Sequence, residues 1–209
     1  MDALTTLKQR LSANHFDPSR KLSEAEIKEL IGYATEAPSS FNIQHWRFVA
    51  VTDQAAKERL KAVAYGQPKV SDAAVTFIIL GDLRGHEKMR EIYQPMLDAG
   101  AVTSEQVDGW VGMAAGMYAN AQNARDEAVR SASLAAMALM TAAEAKGLVS
   151  GPMIGFDPTG VKREFGIADR YVPVMLLSVG YAAPGNWPRK PRLATDEVLR
   201  FNEGTGLDG

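Results

Sequence analysis

The chain has 209 residues, of which 46% are hydrophobic and 23% charged, as in a globular protein with one large domain or two small ones. Its formal net charge of −2 gives no indication of a nucleic acid or an anionic membrane as a partner. The absence of cysteine excludes disulfides, thiolate nucleophiles and iron–sulfur clusters, and it is consistent with a reducing cytoplasm.

The N-terminal residues lack the apolar core of an export signal, so we expect a cytoplasmic protein. Ser23 and Glu26 form a capping-box pair at the start of a helix predicted over 23–37, which Pro38 brings to an end. Further along, local patterns predict a strand over 47–52, a short helix over 55–64 and a strand buried on both faces over 75–80.

The middle of the chain is helical. Residues 86–125 are charged and irregular, and we expect glycines at positions 100, 109, 112 and 116 to interrupt them. The alanine-rich residues 126–146 predict a helix that ends at Gly147. Its many small side chains favour close packing against another helix, as at a dimer axis. Its most apolar part is far shorter than the ~20 residues of a membrane span.

The last quarter contains a short helix, a strand and a tail. Asp157 and Pro158 are typical of a helix N-cap followed by the first helical position. Residues 174–179 predict a second strand buried on both faces. The tail, 182–209, carries three prolines and has little core of its own, so it either frays or wraps a partner.

Several common catalytic signatures are missing from the sequence. It contains no dinucleotide-binding GxGxxG after a strand, no P-loop, no GxSxG and no HExxH. His15, His45 and His86 are isolated in the sequence and have no metal-ligand partner at useful spacing, so no metal site is predicted. If the protein is an enzyme, its chemistry is expected to come from a bound organic cofactor.

Three separate segments could bind such a cofactor. In RLSANHF, residues 10–16, an extended conformation would point Arg10, Ser12 and Asn14 to one side, where a guanidinium and a hydroxyl can clamp a phosphate. In APSSFNIQHWRF, residues 37–48, short polar side chains gather between a helix and a strand. In GPMIGFDP, residues 151–158, glycines would let backbone amides approach a flat ligand. Each segment alone is equally consistent with a surface position, a plain loop or a tight turn.

Together these segments resemble the nitroreductase family of FMN-dependent oxidoreductases, over essentially the whole chain. RLSANHF is similar to the family's Arg-x-Ser opening, and APSSFNIQHWRFVAV to its PSS-x-N-x-Q-x-W stretch. GLVSGPMIGFDPTGVKREFGI, residues 147–167, is similar to its Gly-Phe-Asp segment, and RKPRL, residues 189–193, to its basic C-terminal element. The order and spacing of all four agree with the family.

The resemblance implies an α+β fold, a three-layer α/β/α sandwich with a central, mostly antiparallel sheet, in an intertwined homodimer. It implies one FMN-binding domain over 1–209. Within that domain, 86–125 would form a variable helical roof over the substrate site, and 182–209 would wrap the partner subunit. Tyr93, Trp110 and Tyr118 of the roof could stack on an aromatic substrate, and each could equally be core packing.

The resemblance also implies a set of cofactor-binding residues. They are Arg10, Leu11, Ser12, Asn14, Pro38, Ser39, Ser40, Asn42, Gln67, Lys69, Pro152, Met153, Ile154, Gly155, Lys190 and Arg192. Arg10, Ser12, Lys190 and Arg192 would hold the phosphate, with Arg189 able to substitute for Lys190. The loop 38–42, from the opposite subunit, would line the flavin and its ribityl chain.

The remaining members would surround the flavin ring. Gln67 and Lys69 would meet its pyrimidine edge, where Asn14 and Lys69 are the candidate donors to the reduced ring. Residues 152–155 would run along the side that leads to N5, and the backbone N–H of Ile154 would hydrogen-bond to N5. No side chain is predicted to be catalytic, because flavin N5 carries the chemistry.

The implied activity is hydride transfer from NADH or NADPH to flavin N5, followed by reduction of a quinone or a nitroaromatic in a ping-pong mechanism. A reductase of a small conjugated aldehyde or semialdehyde is an alternative on the same scaffold. A flavin-binding protein without turnover and a helical interaction protein without a cofactor are alternatives of other classes. The nucleotide preference and the physiological oxidant are not encoded in any recognisable motif.

Overall fold

The computed structural model describes residues 2–207, so residues 1, 208 and 209 of the predicted domain lie outside the described part. The helices are α1 Ala3–Gln9, α2 Glu24–Ala34, α3 Gln54–Val63, α4 Pro68–Asp72, α5 Met89–Asp98, α6 Ser104–Tyr118, α7 Ala121–Ala145, α8 Pro158–Phe165 and α9 Thr195–Val198. The strands are β1 Trp46–Val51, β2 Val75–Asp82, β3 Val149–Met153 and β4 Tyr171–Gly180. Short 3-10 helices cover Ser40–Asn42 and Gly85–Lys88.

The four strands form one sheet in the order β1-β2-β4-β3, and each neighbouring pair is antiparallel. β1 and β3 are therefore the two edges of this sheet. β2 is buried along its whole length, as its continuous apolar sequence predicts. The separation of the two edge strands decides where the candidate site residues lie.

Side chains of β2 alternate between two cores, as the period of a strand requires. Phe77 and Ile79 pack on the side of α2 and α7, in a cluster that includes Leu139. Ile78 and Leu80 pack on the opposite side, with residues of α3 and α8. Helices therefore cover both faces of the sheet, which confirms the predicted α+β fold with three layers and an antiparallel sheet.

The predicted start of α2 is confirmed, and its predicted end is wrong by three residues. The Ser23 hydroxyl accepts from the N–H of Glu26, and the Glu26 carboxylate accepts from the N–H of Ser23. The helix ends at Ala34, because the hydroxyl of Thr35 donates to the carbonyl of Gly32, 2.8 Å away, and closes the last turn.

The predicted interruption of 86–125 is partly wrong. Gly100, with φ of +66°, does separate α5 from α6. The glycines at 109, 112 and 116 instead lie inside the continuous helix α6. A capping box between Thr103 and Gln106 starts this helix and helps it to tolerate the three glycines.

The long alanine-rich helix also begins earlier than predicted. α7 starts at Ala121 rather than at 126, because the Asn120 side chain caps it by accepting from the N–H groups of Gln122 and Asn123. Its alanines allow close packing against α2 and the sheet. Gly147 follows its end with φ of +74°, a conformation that favours glycine. None of the helices within residues 2–207 has the length and apolar character needed to cross a bilayer.

Candidate functional site

The segment 10–16 lies extended beside the edge strand β3. Ser12 forms a parallel bridge with Ser150, and the N–H of Ala13 donates to the carbonyl of Ser150 at 2.9 Å. A Cβ atom at Gly151 would lie 2.4 Å from the carbonyl oxygen of Ala13, so only glycine permits this approach. β3 itself was not predicted, because its sequence reads as a turn.

The C-terminal tail returns to the same segment through Asn186. Its Oδ1 accepts from the N–H groups of Asn14 at 2.7 Å and His15 at 3.0 Å. Its Nδ2 donates to the carbonyls of His15 at 2.8 Å and Ala183 at 3.1 Å. Asn186 therefore fixes residues 187–192 beside Arg10. The only local signal for this role is the position of Asn186 next to Gly185, which adopts φ of +97°.

A cavity of about 70 Å³ forms where the segment and the tail meet. It is lined by Arg10, Leu11, Ser12, Trp187, Pro188, Arg189, Lys190 and Arg192. The structure thus brings together all of the residues predicted to hold a phosphate. Arg189 has a different role from the one considered for it, because its Nη1 donates to the carbonyls of Leu7, Lys8 and Arg10 at 2.8–3.2 Å.

The electrostatics of this cavity favour an anion. Nη1 of Arg10 is buried and has no hydrogen-bond partner within residues 2–207. Burial lowers the pKa of Arg10, and the charges of Arg189 and Arg192 lower it further. Burial also raises the pKa of Glu144, which the charge of Arg10 opposes. Cations gathered around a guanidinium N–H that has no acceptor within residues 2–207 have the chemistry that an anion such as a phosphate requires.

A second cavity, of about 280 Å³, lies next along the segment and is lined by Asn14, His15, Gln67, Pro68 and Lys69. Nζ of Lys69 donates to Oδ1 of Asn14 at 3.2 Å. Burial lowers the pKa of Lys69, and so does the charge of Lys190. Ser12 lines the first cavity and Asn14 the second, so the two cavities are neighbours along the segment 10–16.

Gln67 connects the second cavity to residues 152–155. Its Nε2 donates to the carbonyls of Gly155 at 2.6 Å and Ala64 at 3.1 Å. In this stretch Met153 is buried in the core, so only its backbone can meet a ligand. Ile154 is 82% exposed, which leaves its side chain without a packing role in the described part of the chain.

The loop 38–44 lies at the other end of the sheet, before β1. Phe41, Asn42 and Gln44 have φ of +49°, +50° and +57°, a left-handed conformation that is rare for such residues. The Ser39 hydroxyl accepts from the N–H of Gln44 at 2.9 Å, and the Tyr93 hydroxyl donates to the carbonyl of Phe41 at 3.1 Å. These bonds hold the loop in a strained shape, which is a frequent property of binding loops.

Within one chain, the loop and the two cavities are far apart. The loop leads into β1, whereas the segment 10–16 lies beside β3, and β2 and β4 run between these edges. Three interstrand spacings amount to about 14 Å. The structure therefore does not bring Pro38, Ser39, Ser40 and Asn42 to the other predicted residues of the same chain.

The aromatic residues of the predicted roof belong to a core cluster. Tyr93 and Trp110 pack against each other with ring centroids 5.1 Å apart, and Tyr118 is buried. His45 and His86, which are isolated in the sequence, both lie with ring centroids 5.4 Å from Tyr118. Within the described residues, no group of three or more His, Asp or Glu side chains could hold a metal ion.

Comparisons with known proteins agree along most of the chain. Residues 7–181 match the Nitroreductase family. The candidate NAD(P)H nitroreductase YodC of Bacillus subtilis is 40% identical over 181 residues, which are 87% of this chain and 90% of YodC. The CLA biosynthesis enone reductase of Lactiplantibacillus plantarum is 30% identical over 187 residues, 87% of this chain and 86% of that protein. A candidate nitroreductase of Exiguobacterium sibiricum, solved in complex with FMN, superposes with a TM-score of 0.89 at 31% identity, covering 96% of this chain and 97% of the other.

Proposed function

The chain belongs to the nitroreductase family, and on this basis we propose that it is an FMN-dependent oxidoreductase that uses NADH or NADPH. The observation that carries the proposal is the buried Nη1 of Arg10, which has no hydrogen-bond partner in the described part of the chain and lies in a cavity lined by further cations. A phosphate would supply both the missing hydrogen-bond acceptor and the missing negative charge. FMN ends in a phosphate, and the solved structure with FMN supports this choice over other phosphorylated ligands.

The positions of the two cavities suggest which residues bind the phosphate of FMN and which bind its ring. Arg10, Ser12, Lys190 and Arg192 would hold the phosphate, with backbone contacts from Leu11. Asn14, Gln67, Lys69 and residues 152–155 would lie along the ring, where the N–H of Ile154 is the proposed donor to N5. Lys69 would place positive charge at the ring's pyrimidine edge and so stabilise negative charge there. The redox chemistry, a two-electron exchange by hydride transfer, is supplied by FMN when it is bound.

The loop 38–42 completes this site only if a second copy of the chain supplies it. Its distance from the cavities within one chain supports the predicted homodimer. An apolar groove of about 650 Å³ on the outer face of α7, lined in part by Tyr33, Met137 and Ala142, offers a surface for the partner. The tail beyond Arg192 exposes Leu193, Val198 and Phe201, as a segment that wraps a partner would.

For the second substrate we propose a quinone or a nitroaromatic, reduced in alternation with the nucleotide at one face of the ring. Exposed Ile154 beside Gln67 leaves this side of the site open to a flat molecule. A conjugated carbonyl compound is the second candidate, and it is favoured by the similarity to an enone reductase. Residues 86–125 would form the roof, with the core cluster around Tyr93 and Trp110 holding it rigid.

Binding of FMN and of riboflavin to the apoprotein tests the cofactor assignment. We expect FMN to bind at least tenfold more tightly, since each charge-assisted hydrogen bond to the phosphate contributes roughly 1.5–3 kcal/mol. Equal affinities would contradict the role of the Arg10 cavity. Anaerobic mixing of the FMN-loaded protein with NADH and NADPH, followed by quinones, nitroaromatics and enones, then tests turnover and substrate class.

A further inference from the structure

A polar cluster outside the predicted site lies where the loop 39–45, the 3-10 helix Gly85–Lys88, α6 and α7 meet. His45 and Tyr118 are buried, and the ring of Tyr118 lies between the imidazoles of His45 and His86. Gly85 contributes to this packing, because a Cβ atom there would lie 3.0 Å from Nδ1 of His45. Glu127 lies at the side of the cluster and is also buried.

The protonation of His45 follows from its one hydrogen bond. Its Nδ1 lies 2.7 Å from the carbonyl oxygen of Asp82, which can only accept, so Nδ1 carries the proton. Burial lowers the pKa of His45, which favours the neutral ring. In this tautomer Nε2 is an acceptor, and within the described residues it has no hydrogen-bond partner.

Three buried polar atoms of this cluster have no hydrogen-bond partner within residues 2–207. They are Nε2 of His45, Nδ1 of His86 and the hydroxyl of Tyr118. Unsatisfied buried polar atoms are rare in folded proteins, and three on adjacent rings call for a shared cause. Within residues 2–207 the two imidazoles and the phenol make no hydrogen bond to one another through these atoms, although both imidazole centroids lie 5.4 Å from that of Tyr118.

A water molecule has the right hydrogen-bonding capacity for this set. It can donate to Nε2 of His45 and accept from the hydroxyl of Tyr118 while bonding to His86, and buried waters typically make about three such bonds. We propose that a buried water binds between His45, His86 and Tyr118, and that this hydrated cluster packs against the loop 39–42 and stabilises it.

The connection to the loop runs through Ser40. Its backbone N–H donates to Oε1 of Glu127 at 3.4 Å, and the same oxygen accepts from the hydroxyl of Ser131 at 2.8 Å. Burial raises the pKa of Tyr118, and the nearby hydroxyl of Ser40 lowers it, although the two hydroxyls make no hydrogen bond of ordinary geometry. The cluster therefore lies directly against a residue of the strained loop.

Crystal structures of the purified full-length protein and of two variants test this inference. Tyr118→Phe removes the hydroxyl that the water would bind. Tyr93→Phe is the matched control, because it also removes a tyrosine hydroxyl that contacts the loop, here a part-buried one with a direct hydrogen bond to the carbonyl of Phe41. We expect a water within hydrogen-bond distance of His45 and Tyr118 in the parent and in Tyr93→Phe. Absence of a water there in the parent would overturn the inference.

The melting temperature is a second readout, because a bound water and an unsatisfied Tyr118 hydroxyl predict different changes in it. If the water is bound, Tyr118→Phe deprives it of a donor and lowers the melting temperature by about 2–4 °C. If the hydroxyl is truly unsatisfied, its removal leaves the melting temperature unchanged or raises it, and the inference fails.

Neither measurement depends on a cofactor, so failure here and failure of the proposed function are distinguishable. A third measurement rests on the proposed function. If the loop 39–42 lines FMN in the dimer, Tyr118→Phe should change the visible circular dichroism of the bound flavin. An unchanged spectrum in a variant that has lost its water would show that the cluster does not support the loop.

Discussion

The cavity around Arg10 and the cluster around Tyr118 both contain buried polar atoms that have no hydrogen-bond partner among residues 2–207, but the charges of the two regions differ. Arg10 is cationic and lies among the cations of the tail, in a cavity beside exposed residues such as Ser12 and Lys190. The Tyr118 cluster contains a neutral imidazole and a phenol, enclosed between helices and a loop. A charged, accessible group requires an anion from solution, whereas neutral, enclosed groups can be satisfied by a water.

The comparison also separates ligand recognition, in the Arg10 cavity, from structural support of the loop 39–42, in the Tyr118 cluster. Substitutions in the Arg10 cavity should change which ligand binds and how tightly. Substitutions in the Tyr118 cluster should change stability and its dependence on pH, with smaller effects on the ligand. If a substitution in the Tyr118 cluster mainly changed ligand affinity, or one in the Arg10 cavity mainly changed stability, the two regions would not be distinct in function.

The largest effect is expected for Arg10→Ala. Loss of two or more charge-assisted hydrogen bonds to the phosphate should weaken FMN binding by about 10²–10³-fold. Riboflavin binding should change little, because riboflavin has no phosphate. Titration of the apoprotein with both flavins measures this difference. The control is Arg163→Ala on α8, an exposed arginine paired with Glu164. An equal loss for both flavins would assign Arg10 to the fold rather than to the phosphate.

A smaller effect is expected for Asn186→Ala, which releases the tail from segment 10–16. Three of the four lost hydrogen bonds are exposed and water can replace them, so the free energy of unfolding should fall by only about 1–2 kcal/mol. FMN should bind about tenfold more weakly, because Lys190 and Arg192 are no longer held beside Arg10.

Asn186→Asp is the matched variant for this prediction. It keeps the oxygen that accepts from Asn14 and His15, and it loses the amide that donates to His15 and Ala183. Its FMN affinity should lie between those of the parent and the alanine variant. If Asn186→Ala lowers stability without weakening FMN, the tail does not position the phosphate site.

For the Tyr118 cluster, a pH effect on stability is expected through His45. Its pKa is lower in the folded protein than in the unfolded chain, so its contribution to stability is complete above the unfolded pKa of about 6.5. Below that value the unfolded chain takes up a proton that the folded protein does not, and stability falls as pH decreases, by at most about 1.4 kcal/mol per pH unit.

His45→Gln should therefore flatten the decline of stability below pH ~6.5, whatever it does to stability at neutral pH. Urea unfolding across this range measures the slope. His15→Gln, at an exposed imidazole, is the control and should leave the slope unchanged. A slope in His45→Gln equal to that of the parent would place the titrating group elsewhere.

The difference between the regions also explains how much the sequence could predict. Arg10 and Ser12 could be proposed from the residue types of RLSANHF, whereas Arg192 followed only from the resemblance of RKPRL to the family's basic C-terminal element. The structure places all three around one cavity. The central strand β2 could be predicted with equal ease, because Phe77–Leu80 form a continuous apolar run within it. Asn186 escaped prediction because its role depends on backbone groups 171 and 172 residues away.

The Tyr118 cluster could not be predicted, for a related reason. His45, His86 and Tyr118 lie on three different elements, and each is unremarkable in its local sequence. The edge strand β3 was missed because Gly151 and Pro152 are typical of a turn, whereas here glycine permits the close approach of Ala13. Local patterns reveal elements and charged motifs, but not the long-range contacts that place neutral side chains together.

The smallest effect is expected for Ile154→Ala, at the exposed end of the Arg10 region. The Ile154 side chain is 82% exposed and therefore makes little packing contact. The free energy of unfolding should change by less than about 0.5 kcal/mol, and FMN affinity by less than about twofold. Ile154→Pro, which removes the backbone donor proposed for N5 and also fixes φ at this position, should instead slow reduction by NADH or NADPH about tenfold or more. Stopped-flow reduction of both FMN-loaded variants measures the contrast. If the alanine variant were reduced more slowly than the proline variant, flavin reduction would depend on the Ile154 side chain, and its backbone N–H would not have the proposed role.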